Sequence, residues 1–225
     1  MITLALDAST YVGTVAVLRG RALVAEGEAV MRGEQEERLM PAVVATLGEV
    51  GCSVRDVTRV ICGAGPGSFT SLRIAGAIAK GIVMGGGARV DGLFAVSSLA
   101  LIVAGLSDQL EPGRWLALLD AMRGERYAAL YEVGAAGSVR EIERLGLIGE
   151  GDIARECGRL GARAIGPREM VEAVPRACGA AVLFDGIVAN GRVPLDSWEP
   201  DYGRLAEAQV KWEAAHGRSL TGDAT

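Results

Sequence analysis

The first apolar run of the chain ends in an acid and two hydroxyls: Leu4-Ala5-Leu6-Asp7-Ala8-Ser9-Thr10. A tight hairpin at the end of a buried strand can turn backbone amides and hydroxyls toward a phosphate, while the aspartate holds a metal-bound water. The same spacing also serves ordinary hairpin chemistry, in which the side chains bond within their own turn. A second acid, Asp120, lies with Arg123, Glu125 and Tyr127 in a strand–turn–strand segment. Facing Asp7 across a cleft, Asp120 would complete a pair of phosphate turns; the alternative is a hairpin closed by a salt bridge. Asp7, Ser9, Thr10 and Asp120 are the candidate ATP- or ADP-binding residues. Turnover would further require both turns to converge on a metal–phosphate pair.

Other chemistries find less support. Ser68 stands in Gly65-Pro66-Gly67-Ser68-Phe69, superficially like the G-x-S-x-G of hydrolases, but the second glycine is missing. The chain has a single histidine, His216, so two imidazoles one helical turn apart cannot be assembled for a metal. The four cysteines, Cys52, Cys62, Cys157 and Cys178, form no CxxC pair and read as small buried hydrophobes in a reducing compartment. No catalytic residue and no metal ligand set is assigned.

The elements that must position these residues follow from hydrophobic period and turn chemistry. Ile2–Leu6, Thr14–Leu18 and Ala22–Met31 form a meander of three strands. A helix spans Glu36–Val50, with Leu39, Val43, Val44 and Leu47 at helical spacing. Val60-Ile61-Cys62 is a buried strand that enters the glycine loop of Gly63, Gly65, Pro66, Gly67 and Ser68. Ser68 or Thr70 would cap a helix to Met84 that is apolar on almost every side, its only charges being Arg73 and Lys80. Close backbone packing would offset the cost of Gly76 and Gly81, roughly 1 kcal/mol each. Arg89–Ala95 is a further strand, and Ser97 or Ser98 caps a helix to Leu106. After a polar hinge at Asp108–Gly113 come strands at Trp115–Leu119, Arg126–Glu132 and Val139–Leu147. A helix at Gly149–Gly158, a strand at Arg163–Ile165, a helix at Ala177–Asn190 and an amphipathic helix at Leu205–Ala215 follow. Both halves thus run a meander and then alternating helices and strands, as two related α/β lobes with a cleft between them would. Residues 1–107 form the N-terminal lobe and 108–225 the C-terminal lobe, whose last helix (about 204–217) packs back on the first.

Composition bounds the function. The net charge is −5 and no Lys/Arg run is present, so an independent nucleic-acid grip lacks its basic footprint. Thirty-two glycines in 225 residues are about twice the usual ~7% share, which points to tight turns and close packing. No uninterrupted apolar run reaches the ~20 residues that a membrane span needs, and the N-terminus begins directly in a strand. A cytoplasmic protein is expected.

Taken together, LALDAST, GAGPGSFTSLRIA, LLDAMRGERYAALY and EPDYGRLAEAQVKW resemble, in order and spacing, the bacterial TsaB (YeaZ) family. That family serves in making threonylcarbamoyladenosine in transfer RNA. The resemblance runs from Ile2 to about Leu220, with GPGSFT followed by LRI its most distinctive element. It implies a two-lobed actin/Hsp70/sugar-kinase-like fold, each lobe a mixed sheet with flanking helices. It also implies a non-catalytic subunit that pairs with the paralogous TsaD transferase, is joined by the small ATPase TsaE, forms a homodimer when alone, and meets tRNA only indirectly. Gln35 stands where the family usually has histidine, Glu36 where it has serine, and Ser71 where it has glycine.

On that reading Gln35, Arg38, Leu39, Leu72, Ile74, Ile78 and Ile82 form the partner interface, and the Gly63–Ser68 loop is structural. Two alternatives stand beside it: a stand-alone ATPase or phosphotransferase of the sugar-kinase type, and a peptidase-like protein, since relatives have been labelled glycoproteases.

Overall fold

The computed structural model describes residues 1–31 and 37–203; the helix expected near the C-terminus lies outside them, as do Gln35 and His216. Two five-stranded sheets form the frame. In the first, β1 (Ile2–Asp7), β2 (Val12–Arg19) and β3 (Ala22–Val30) are an antiparallel meander, and β4 (Val57–Gly63) and β5 (Leu93–Val96) add in parallel on the far side of β1. The order is β3-β2-β1-β4-β5. The second sheet repeats it with β6 (Gly113–Asp120), β7 (Glu125–Val133), β8 (Val139–Gly149), β9 (Ala162–Gly166) and β10 (Val171–Glu172), in the order β8-β7-β6-β9-β10. Two lobes of one topology therefore arise from sequences with no residue-level repeat. The fold is the two-lobed actin/Hsp70/sugar-kinase-like α/β type.

The continuous apolar runs of β1, β2 and β4 have a direct cause: both faces of the first sheet are covered. On one face Leu4, Leu6, Val15, Val17, Val60 and Cys62 pack under two helices, α1 (Leu39–Glu49) and α2 (Phe69–Gly86). On the other, Ala5, Ala16, Leu18 and Ile61 meet Leu101 of α3 (Ser98–Ala104), the 3-10 turn Ala177–Ala180 and α5 (Phe184–Ala189). The second sheet carries α4 (Ile153–Leu160) over Leu116, Leu118, Ala128 and Leu130. Its opposite face, with Trp115, Tyr127 and Tyr131, receives Leu99, Ile102 and Val103 of α3.

Packing thus crosses the 107/108 boundary in both directions. All seven residues of α3 are buried between the sheets, each fully buried Leu or Ile contributing about 2 kcal/mol. After β10 the chain returns to the first sheet. Thr14 Oγ1 donates to Pro175 O at 3.1 Å and accepts from Ala177 N at 3.0 Å, and Arg176 pairs with both carboxylate oxygens of Glu26.

Several element boundaries differ from expectation. The strand expected from Arg89 begins at Leu93, because α2 continues to Gly86 and a 3-10 turn occupies Gly87–Arg89. β8 runs to Gly149, so the helix expected there starts only at Ile153. Ala177–Asn190 is not one helix: Gly179 lies so close to Ala104 and Gly105 that the segment tightens to a 3-10 turn before α5 begins.

Candidate functional site

The turn after β1 is buried. Asp7 is fully enclosed: its Oδ1 accepts from Ser9 N at 2.8 Å and Ser9 Oγ at 2.7 Å, and its Oδ2 accepts from Ser98 Oγ at 2.5 Å. Ser98 Oγ in turn accepts from Gly65 N at 3.1 Å, and Ser98 N donates to Gly65 O at 2.8 Å. Ser9 O accepts from Ser68 N at 2.8 Å. The glycine loop is therefore laid across the Asp7–Ser9 turn and tied to α3.

The glycines permit this approach. A Cβ on Gly63 would collide with the Asp7 carboxylate, and one on Gly67 with the Ser9 backbone. Gly65 has φ 87°, and a Cβ there would strike the Asp201 carbonyl; only glycine fits both demands. The Gly65–Pro66 peptide is cis. Thr10 spends its hydroxyl locally, donating to Val12 O and accepting from Val12 N.

Burial raises the Asp7 pKa from its ordinary 3.8, against the three hydrogen bonds from Ser98 and Ser9 that favour the charged form. Burial likewise pushes the Cys62 thiol up, helped by the charge of Asp7. All four cysteines are free thiols.

Asp120 sits elsewhere. Alternation along β6 puts it, exposed, on the face of Leu116 and Leu118, whereas α3 packs on the face of Trp115, Ala117 and Leu119. It accepts from Met122 N at 2.7 Å and pairs with Arg168 at 3.1 Å. The two acid side chains are held differently: Asp7 is bonded to α3, and Asp120 lies on the side of its sheet that carries Leu116 and Leu118, paired with Arg168. Behind Asp120, buried Arg126 lies 3.0 Å from Glu150 and 3.8 Å from Glu169. Among the described residues, no three His, Cys, Asp or Glu side chains converge on a point that could hold a metal.

The hydroxyl caps expected of Ser68 and Ser97 are corrected: each residue stands at the N-cap position but makes no side-chain cap bond. Ser68 Oγ bonds to Ser71 Oγ at 3.1 Å, and the neighbouring Ser98 turns to Asp7. On α1, Glu37 instead caps the helix, accepting from Leu39 N and, at 2.9 Å, from Met40 N.

The α1–α2 face separates the interface candidates into two groups. Leu39 and Ile82 lie in the core of the first sheet, and Leu72 is buried against the glycine loop at Gly65, so they support this face more than they present it. Ile74 and Ile78 are half-buried and Arg38 is exposed. The exposed residues of α2 are Phe69, Thr70, Arg73, Ala77, Gly81, Met84 and Gly85, none of them among the interface residues expected from the sequence. Val44 of α1, 53% exposed, and Met84, 72% exposed, are large apolar side chains in water. Between the helices lies a cavity of about 360 Å³ lined by Met40, Val54, Ile78, Gly81 and Gly85, with Arg55 and Arg89 also lining it. Gly76 is filled by this chain's own Trp198 and Pro200, but nothing stands within 4 Å of a Cβ on Gly81 or Gly85. Among the described residues, no helix is long and apolar enough to cross a membrane.

Residues 30–144 match the family model described as TsaD, tRNA N6-adenosine threonylcarbamoyltransferase, which is just over half of the chain. The tRNA threonylcarbamoyladenosine biosynthesis protein TsaB of Bacillus subtilis is 27% identical across 94% of this chain and 98% of its own length. The protein of the same name from Escherichia coli is 35% identical over 59% of this chain, which spans 55% of that relative. Among solved structures, YeaZ from Pseudomonas aeruginosa superposes with a TM-score of 0.73 at 25% identity, over 89% of this chain and 99% of that one. A second Pseudomonas aeruginosa structure, described as an uncharacterized protein similar to peptidase YeaZ, gives 0.74 at 26% identity over 90% and 99%. The chain belongs to the family that the TsaD model describes, and within it to the TsaB (YeaZ) proteins.

Proposed function

We propose that the chain is an assembly subunit in the formation of threonylcarbamoyladenosine on tRNA, itself without catalytic activity, and that it pairs with a TsaD-like transferase. The observation that carries this reading is the α1–α2 face. The two helices expose Val44 and Met84, a cavity lined largely by apolar residues together with Arg55 and Arg89 lies between them, and the open positions at Gly81 and Gly85 leave room for another backbone to approach. A helix pair of the same fold, presenting its own ridges, fits such a surface by ridges-into-grooves packing. In the absence of the transferase a second copy of this chain would occupy the face. A TsaE-like ATPase would join the assembled pair, tRNA would be met only indirectly, and the assembly would work in the cytoplasm.

A stand-alone ATPase or phosphotransferase is the second reading, and the geometry around Asp7 weighs against it. A phosphate turn must leave its amides, hydroxyls and acid open to the ligand, yet Ser9 and Ser98 occupy both carboxylate oxygens of Asp7 and the glycine loop covers the turn. The single histidine, His216, offers little to a peptidase.

Reconstituted threonylcarbamoyl transfer to tRNA, run with and without this chain and accompanied by light scattering of the mixed subunits, separates these readings. The expected result is transfer that requires the chain, which elutes in a complex with the transferase and turns over no ATP alone. Transfer at full rate without it, or ATP turnover abolished by Asp7→Ala, would overturn the proposal.

A further inference from the structure

Between α5 and Gly203 the chain runs as a strap, with no strand or helix, over residues 191–203. It begins at the edge of the first sheet, where Val193 N donates to Leu93 O at 2.9 Å and Arg192 pairs with Asp91. It then crosses α2 at Gly76, where a Cβ would lie 3.6 Å from both Trp198 and Pro200. Next it meets the glycine loop: Asp201 N donates to Ala64 O at 2.7 Å, and the Asp201 carbonyl lies against Gly65. The Tyr202 ring packs 4.5 Å from that of Phe69, the first residue of α2. To this point the partners belong to the first lobe. The last contact belongs to the second: Tyr127 of β7 donates its hydroxyl to Tyr202 O at 3.1 Å, and Gly203, with φ 68°, lies against the Tyr127 ring.

We propose that this strap is a latch that couples the position of the second sheet to the order of the glycine loop and the first turn of α2. Among the described residues, the strap meets the second sheet through one hydroxyl and one ring contact, so this crossing can open while both sheets stay paired. The loop cannot remain indifferent to that opening, because Asp201 is bonded to Ala64 and packed on Gly65, and Tyr202 is packed on Phe69. Residues of both lobes thereby share one device, whether or not a partner is bound to α2.

Amide hydrogen exchange on the full chain tests this, comparing the wild type with Tyr127→Phe, which keeps the ring and removes the donor, and Tyr202→Ala, which removes the ring contact. In both variants the Ser68, Leu72 and Asp201 amides should exchange several-fold faster, while those of β8 and α4 keep wild-type rates. Loop amides at wild-type rates in either variant would overturn the latch. So would a uniform rise across both sheets, which would mark these contacts as contributors to general stability only.

Discussion

Ser98 and Asp7, 91 residues apart, meet in a buried hydrogen bond of 2.5 Å that joins the start of α3 to the end of β1. The same hydroxyl accepts the Gly65 amide, so one side chain ties together the Asp7–Ser9 turn, the glycine loop and the start of α3. Asp7→Ala would leave Ser9 N, Ser9 Oγ and Ser98 Oγ without their buried acceptor. Each such group costs about 1–3 kcal/mol, so urea unfolding should show a loss of about 3 kcal/mol or more, with the m-value unchanged. Asp7→Asn, which still accepts from Ser9, should lose less.

The pH dependence of that pair has a definite sign. Burial raises the folded-state pKa of Asp7 above its ordinary 3.8, so in the interval between the two values the native state holds the extra proton. The contribution of Asp7 to stability is therefore fully present below 3.8 and falls as the pH rises through its folded pKa. Wild type should gain on Asp7→Asn as the pH is lowered from neutrality. The comparison is best made as a difference between the two proteins, because Asp91, whose pKa is lowered chiefly by its hydrogen bond from Arg59, runs the other way. A difference that is flat with pH, or of opposite slope, would contradict the assignment.

Two glycines should respond oppositely to alanine. Gly65→Ala meets both a left-handed backbone and the Asp201 carbonyl, and should destabilise by about 1 kcal/mol or more. Gly81 lies inside α2 with open space around it, so Gly81→Ala should stabilise the isolated chain by about 1 kcal/mol. For a domain of this size that is a rise in Tm of about 2–4 °C, readable by calorimetry.

The same two positions show how far the sequence could be read. The order of strands was legible, because meander turns and apolar runs are local signals, and so was the structural character of the Gly63–Ser68 loop. The bond from Ser98 to Asp7 was not, since a serine before an apolar run satisfies the local rule for a helix cap, and only the fold offers it a better acceptor. The all-round apolar helix was expected to be α2, yet the one buried on every side is the short α3, whose seven residues are too few to show a period. On α2, large apolar residues were taken for a docking face when Leu72 and Ile82 belong to the core. The outward face instead interleaves the small residues Ala77, Gly81 and Gly85 with Phe69, Arg73 and Met84, and the openness at the glycines has no signature in a single sequence. Asp120 was set opposite Asp7 as one of a pair of phosphate turns, with a salt-bridged hairpin as the alternative; the parity of β6 puts it on the face of Leu116 and Leu118, where it pairs with Arg168.

The interface is best tested on side chains the lobe does not need. Ile82 is 7% exposed and packs in the main core, so Ile82→Asp buries an unpaired charge and should unfold the chain whatever α2 binds. Met84 and Val44 are 72% and 53% exposed, and aspartate there should change stability by no more than about 0.5 kcal/mol. At a buried interface the same charge would have to be desolvated on association. If α1 and α2 form the pairing face, Val44→Asp and Met84→Asp should therefore keep the circular dichroism spectrum and Tm of wild type while weakening capture of a TsaD-like transferase at least tenfold, about 1.4 kcal/mol. Gly81→Ala adds a sharper control, since it should strengthen the fold and weaken the pairing at once, a combination that loss of folding cannot produce. Full capture by all three variants would move the interface off this face.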